Sequence, residues 1–154
     1  MELGSQINAM NEGRGIEYAS LPDKYIVIAE DDEDDVSLLR SFLADLPEAP
    51  ALLVINKGDK VISFFENLPG NRLPLLVLLD YNLPSVSGYE ILIALADDKK
   101  FLTVPKIIWS TSNSTHFETQ CLAKGAFAYF VKPSNIHGFQ TLVQKLQGIL
   151  STSK

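Results

Sequence analysis

Short apolar runs that stop at charged or hydroxyl-bearing residues, and that alternate with segments of helical period, constrain this chain most. Tyr25-Ile26-Val27-Ile28-Ala29 is apolar throughout, the pattern of a strand buried on both faces. A segment with Val36, Leu39, Leu43 and Leu46 on one helical face follows, and Pro47 and Pro50 end it. The alternation then repeats. Ala51–Ile55 reads as a second strand, and Asp59 as the N-cap of a helix carrying Val61, Ile62, Phe64, Phe65 and Leu68. Leu75–Leu79 is the most apolar strand, followed by a helix from Gly88 to about Asp98. Ile107-Ile108-Trp109 predicts strand four, and Ser114 to Lys124 a helix closed by Gly125. Ala126–Val131 predicts strand five, and Asn135 to about Leu150 the last helix. Five strands alternating with five helices predict an α/β domain, a doubly wound parallel sheet covered on both faces.

In such sheets, ligands bind beyond the carboxyl ends of the strands, where the strand order reverses. Glu30 and Asp31 follow strand one, Asp80 strand three, Ser110 and Thr111 strand four, and Lys132 strand five. Strand two ends in Asn56 and Lys57, which suggest no chemistry. Six acids form the unbroken run Glu30-Asp31-Asp32-Glu33-Asp34-Asp35. Asp32 to Asp35 suit the positive N-terminal end of a helix. Glu30 and Asp31 end a buried strand instead, and the residues alone leave them open between strand-end acids and ligands of Mg²⁺. A lysine just before proline (Lys132-Pro133) is pushed towards extended backbone, which aims its ammonium back over the sheet edge. Taken together, a carboxylate (Asp80), acids able to hold Mg²⁺, a hydroxyl (Ser110) and a cation (Lys132) suit phosphoryl transfer to Asp80.

Other classes are unsupported. The chain lacks a G-x-x-x-x-G-K-[ST] loop, and Asp80-Tyr81-Asn82 has Asn where an Asp-x-Asp phosphatase has its second acid. The net charge of −6 argues against a nucleic-acid partner. That charge is local, because from Asp23 onward and outside the acidic run ten acids face twelve bases. No apolar run approaches a membrane span, the N-terminus lacks a secretory pattern, and the single Cys121 forms no internal disulfide. A cytoplasmic protein without a membrane partner is the simplest expectation. Residues 1–22 read as a flexible leader. Cys121 and Trp109 read as core filler, and His116 and His137 as surface or structural residues.

The stretches IVIAEDDEDD, LLVLLDYNLPSVSGYE, PKIIWST and GAFAYFVKP, in this order, resemble the receiver domain of bacterial response regulators. The resemblance covers Lys24 to Leu150. It implies the CheY-like, flavodoxin-like fold with strand order 2-1-3-4-5 and five helices. It makes residues 23–154 one receiver domain with no output domain. Asp80 would be the phosphoacceptor, assisted by Lys132 and Ser110, with Ser110 and Tyr129 as the switch pair. Mg²⁺ would be held by Asp31, Asp80, the Asn82 backbone carbonyl and, through water, Glu30. Pro84 and Gly88 also fall where the family has them, and Asn82 and Ser112 occupy the positions that tune dephosphorylation. The implied donor is a sensor histidine kinase or a histidine phosphotransfer protein. The expected role is a single-domain phosphoacceptor switch that signals to a partner protein, rather than a turnover enzyme. Two alternatives are a relay that returns phosphate to a histidine and an interaction module that is never phosphorylated.

Overall fold

A computed structural model of the chain describes residues 17–152. Five strands, β1 (Tyr25–Ala29), β2 (Ala51–Ile55), β3 (Val77–Asp80), β4 (Lys106–Ser110) and β5 (Ala128–Val131), form one sheet in the order β2-β1-β3-β4-β5. Every neighbouring pair is parallel. Five α-helices follow the strands: α1 (Glu33–Ala44), α2 (Gly58–Glu66), α3 (Gly88–Ala96), α4 (Thr115–Ala123) and α5 (Ile136–Thr152). The strand order and, among the described residues, the number of α-helices are those expected.

Successive strand residues point to opposite faces, so the continuous apolar runs feed two cores. Val27, Ala29, Leu53, Ile55 and Leu79 pack with Val61, Phe64, Ile91, Leu92 and Cys121 of α2, α3 and α4. Ile26, Ile28, Val54, Leu78 and Trp109 pack with Leu39 and Leu43 of α1 and with Phe139, Leu142 and Leu146 of α5. Each fully buried aliphatic side chain adds about 1.5–3 kcal/mol. These two layers hold the strand tips rigidly in place.

The structure corrects several expected boundaries. The leader does not extend to residue 22. Tyr18–Ser20 forms a 3₁₀ turn, Leu21 is buried, and Tyr18 stacks on Phe64 and donates its hydroxyl to the Phe64 carbonyl. Two aromatic and aliphatic side chains inside a polar stretch suffice to dock it. The remainder of that expected leader, residues 1–16, lies outside the described residues. Asp59 is not the N-cap of α2, because Lys57 holds that position without a side-chain cap bond. Asp59 instead accepts a hydrogen bond from Ser85 Oγ at 2.8 Å, while its own N–H donates to that oxygen at 3.1 Å. The expected third helix stops at Ala96, and a separate 3₁₀ turn at Lys99–Phe101, capped by Asp98, follows it. Ser114 caps α4 by accepting from the Phe117 N–H, and Gly125 takes a φ of 107° just beyond it, as expected.

Candidate functional site

Strand register builds the site. The order reverses between β1 and β3, where Ala29 pairs with Leu79, so Glu30 comes level with Asp80. On the other side Asp80 pairs with Trp109, and Ser110 with Val131. Ser110 and Lys132 therefore lie just beyond Asp80, on the same edge of the sheet.

Lys132 joins the parts. Its Nζ lies 2.8 Å from Glu30 Oε1, 3.0 Å from Asp35 Oδ2 and 3.4 Å from Asp80 Oδ2, with the Trp109 ring 4.9 Å away. Glu30 and Asp80 are buried. Glu30 Oε2 accepts the backbone N–H groups of Asp31 (3.1 Å) and Asp32 (3.0 Å). Asp80 Oδ1 accepts the Asn82 N–H at 3.1 Å. These bonds fix both carboxylates before any ligand arrives. Asp31 and Asn82 are exposed and form the solvent side of the site.

Charge is in excess. Burial pushes the Glu30 carboxyl up to about 8, the hydrogen bond from Lys132 and the backbone bond at Asp32 oppose that rise, and the Asp80 charge adds to it. Burial alone would lower Lys132, yet the Glu30 bond and charge, then Asp35 and Asp80, hold it above its ordinary value. Glu30, Asp31 and Asp80 each offer a carboxylate oxygen within 4.8 Å of the others. Three hard oxygen donors converging where carboxylates outnumber the cation fit a hard divalent ion. Glu30 already spends both oxygens on protein partners, which suits contact through water better than direct ligation.

The switch candidates share one turn. Ser110 is fully buried, and its Oγ accepts the Ser112 N–H at 3.1 Å. The buried Tyr129 donates its hydroxyl to the Ser112 carbonyl at 2.9 Å. Lys132 N–H donates to the Ser110 carbonyl at 2.7 Å, tying β5 to the same turn. On the outer side, Tyr81 stacks on Phe117 of α4 and on Tyr89 of α3, at centroid distances of 4.9 and 6.1 Å.

The structure thus brings together Glu30, Asp31, Asp80 and Lys132, with Asn82 just past β3 and Ser110 at the end of β4 on the same edge of the sheet. His116 and His137 are exposed in the first turns of α4 and α5, and neither is among the residues gathered around Lys132. Cys121 and Trp109 are buried in the two cores, as expected of filler. Asp35 is the residue that sequence reasoning missed, for it was assigned wholly to the helix end. Its signal was available: three residues beyond the N-cap Asp32, it shares the first turn of α1 with the strand tip.

Among the described residues, no helix is long and apolar enough to cross a membrane. Comparison with known proteins agrees with the geometry. The response regulator Rcp1 of Synechocystis is 25% identical over 134 residues, covering 83% of this chain and 89% of that protein. The crystal structure of the Mn²⁺-bound form of Rcp1 superposes with a TM-score of 0.73, covering 80% of this chain and 91% of that one. The phosphorylated cyanobacterial phytochrome response regulator RcpA, 21% identical, gives a TM-score of 0.77 over 86% of this chain and 97% of that one. The Arabidopsis two-component response regulator ARR9 is 32% identical over 89 residues, covering 51% of this chain. This match spans only 38% of ARR9. A family model described as response regulator receiver domain matches residues 26–146, from the second residue of β1 into α5. With the acidic tips of β1 and β3 and the lysine of β5 converging as they do, the chain belongs to the response regulator receiver domain family.

Proposed function

We propose that Asp80 accepts a phosphoryl group and that the domain acts as a two-component signalling switch. The observation that carries this reading is the convergence of the Lys132 ammonium, from the end of β5, and the Glu30 and Asp31 carboxylates, from the tip of β1, on Asp80. The Asp80 carboxylate attacks the phosphorus of a phosphohistidine. The new bond is Oδ–P, the P–N bond breaks, and the imidazole leaves with the electron pair and takes up a proton. The donor is a sensor histidine kinase or a histidine phosphotransfer protein, and the protein that reads the switch is its second partner. Mg²⁺, held by Asp31, Asp80 and the Asn82 backbone carbonyl with Glu30 behind water, would neutralise charge developing on the phosphoryl oxygens. The Mn²⁺ in the Rcp1 structure supports a divalent ion in this family. Lys132 offers its Asp80-facing N–H to a phosphoryl oxygen, and Ser110 supplies a hydroxyl to another.

Ser110 reaches that oxygen by leaving the Ser112 N–H. The 110–112 turn then shifts, and Tyr129, bonded to the Ser112 carbonyl, follows. A local change of charge is thereby read out at the surface around α4 and β5. The test is intact-mass measurement after incubation with acetyl phosphate and Mg²⁺. The protein is expected to gain one phosphate and Asp80→Asn none. No gain in either would return the chain to the class of unphosphorylated interaction modules.

A further inference from the structure

The ammonium of a lysine has three N–H donors. At Lys132 three carboxylates lie within 3.4 Å of Nζ, and one of them, Asp35, belongs to α1 rather than to the tip of β1 or to the acceptor strand. It sits in the first turn of α1, where its N–H donates to Asp32 Oδ1 at 3.0 Å. The N-cap bond therefore fixes the Asp35 backbone, and its side chain reaches Nζ at 3.0 Å. Its side chain is 22% exposed, far less than an acid that only complements a helix end needs to be. Asp34, one residue earlier in the same turn, is exposed.

We propose that Asp35 is a positioning residue for phosphoryl transfer, which rests on the phosphoacceptor reading of Asp80. Asp35 and Glu30 hold two of the Lys132 donors from either side, and the third is left aimed at Asp80, the longest of the three contacts at 3.4 Å. A lysine carries its charge on a flexible four-carbon stem, and one anchor plus the Trp109 ring leaves that stem free to turn. Two anchors define the direction of the remaining N–H. That N–H is the one released when Asp80 gains its phosphoryl group and ceases to be an anion, because the contacts to Glu30 and Asp35 are unaffected by the reaction. The helix is in this way tied to the end of β5 through one ammonium, and the site needs no rearrangement of Lys132 to receive the phosphoryl oxygen.

The test compares Asp35→Asn, which keeps shape and folding, with Asp34→Asn, which removes the same charge from the same helix end. Phosphorylation by acetyl phosphate at saturating Mg²⁺ is followed by intact mass, and the Lys132 ammonium by its ¹⁵N resonance. Asp35→Asn is expected to slow phosphate uptake about tenfold, the worth of one charged hydrogen bond, and to broaden or shift the Lys132 resonance. Asp34→Asn should leave both unchanged. Equal effects from the two variants, a faster Asp35→Asn, or a Lys132 resonance unmoved in Asp35→Asn would overturn the inference. A wild-type protein that takes no phosphate would sink the phosphoacceptor reading instead, and the resonance would still report whether Asp35 anchors Lys132.

Discussion

Two lysines lie largely out of solvent at opposite ends of the sheet, and their surroundings differ in one respect. Lys106, which opens β4, is buried and, among the described residues, donates Nζ to the Phe101 carbonyl alone. Burial lowers its pKa. Lys132, just past β5, has a side chain 9% exposed, and its pKa is raised, because three carboxylates outweigh the same desolvation. Burial by itself drives a basic group towards neutrality. A permanent cation at the carboxyl end of the sheet is therefore a product of the acids gathered around it, whereas the one at the amino end is tolerated by a single carbonyl.

The largest effect that separates the two ends comes from replacing each lysine by methionine, which keeps the apolar stem. Lys132→Met leaves Glu30, Asp35 and Asp80 facing one another and should cost about 3–5 kcal/mol in urea unfolding at pH 7. Lys106→Met trades a carbonyl partner for relief of a desolvated charge, and should stay within about 1 kcal/mol of the original. Equal losses would break the comparison. A divalent ion sharpens it from the other direction. Mg²⁺ at a hundredfold excess over its Kd should stabilise the protein by about 2.7 kcal/mol, read as a rise in Tm, and perturb the emission of Trp109. Lys106→Met should keep that response, and Asp31→Ala should lose it. The smallest effect concerns Cys121, a third group shifted by burial and without a countercharge. Its thiol is pushed up to about 11, so at pH 8 it is protonated and is not the thiolate that attacks. A disulfide reagent at pH 8 should react slowly with folded protein and promptly in urea. Fast reaction in the folded state would mean the core around α4 opens readily.

The carboxyl-end chemistry was legible in the sequence because a strand buried on both faces has to be apolar, so its first charged residue marks its tip. Asp80 and Glu30 each end such a run, and Lys132 ends the apolar run of the edge strand β5. Strand order followed from the family resemblance, and the register then placed the tips side by side. Lys106 was not legible, since a basic residue beside Pro105 reads as a loop position, and its burial with a bond to the Phe101 carbonyl appears only in the folded chain. Asp35 was hidden by its neighbours. In a run of six acids any member suits a helix N-terminus, and the sequence alone does not say which one turns inward. Asp59 failed for a related reason: its partner, Ser85, is 26 residues away in the loop that follows β3.

That loop is pinned from both sides by hydrogen in place of a methyl group. A Cβ on Gly58 would stand 1.9 Å from the Val86 carbonyl oxygen, and one on Gly88 would stand 2.1 Å from that of Asp80. Neither glycine touches a reacting atom, yet even alanine at either place must move the rim on which the acceptor stands. In a saturation scan scored by signalling output, positions 58 and 88 should look as intolerant as the acceptor itself. A map of indispensable residues drawn that way would mix masonry with chemistry, and only a folding measurement run alongside would tell the two apart.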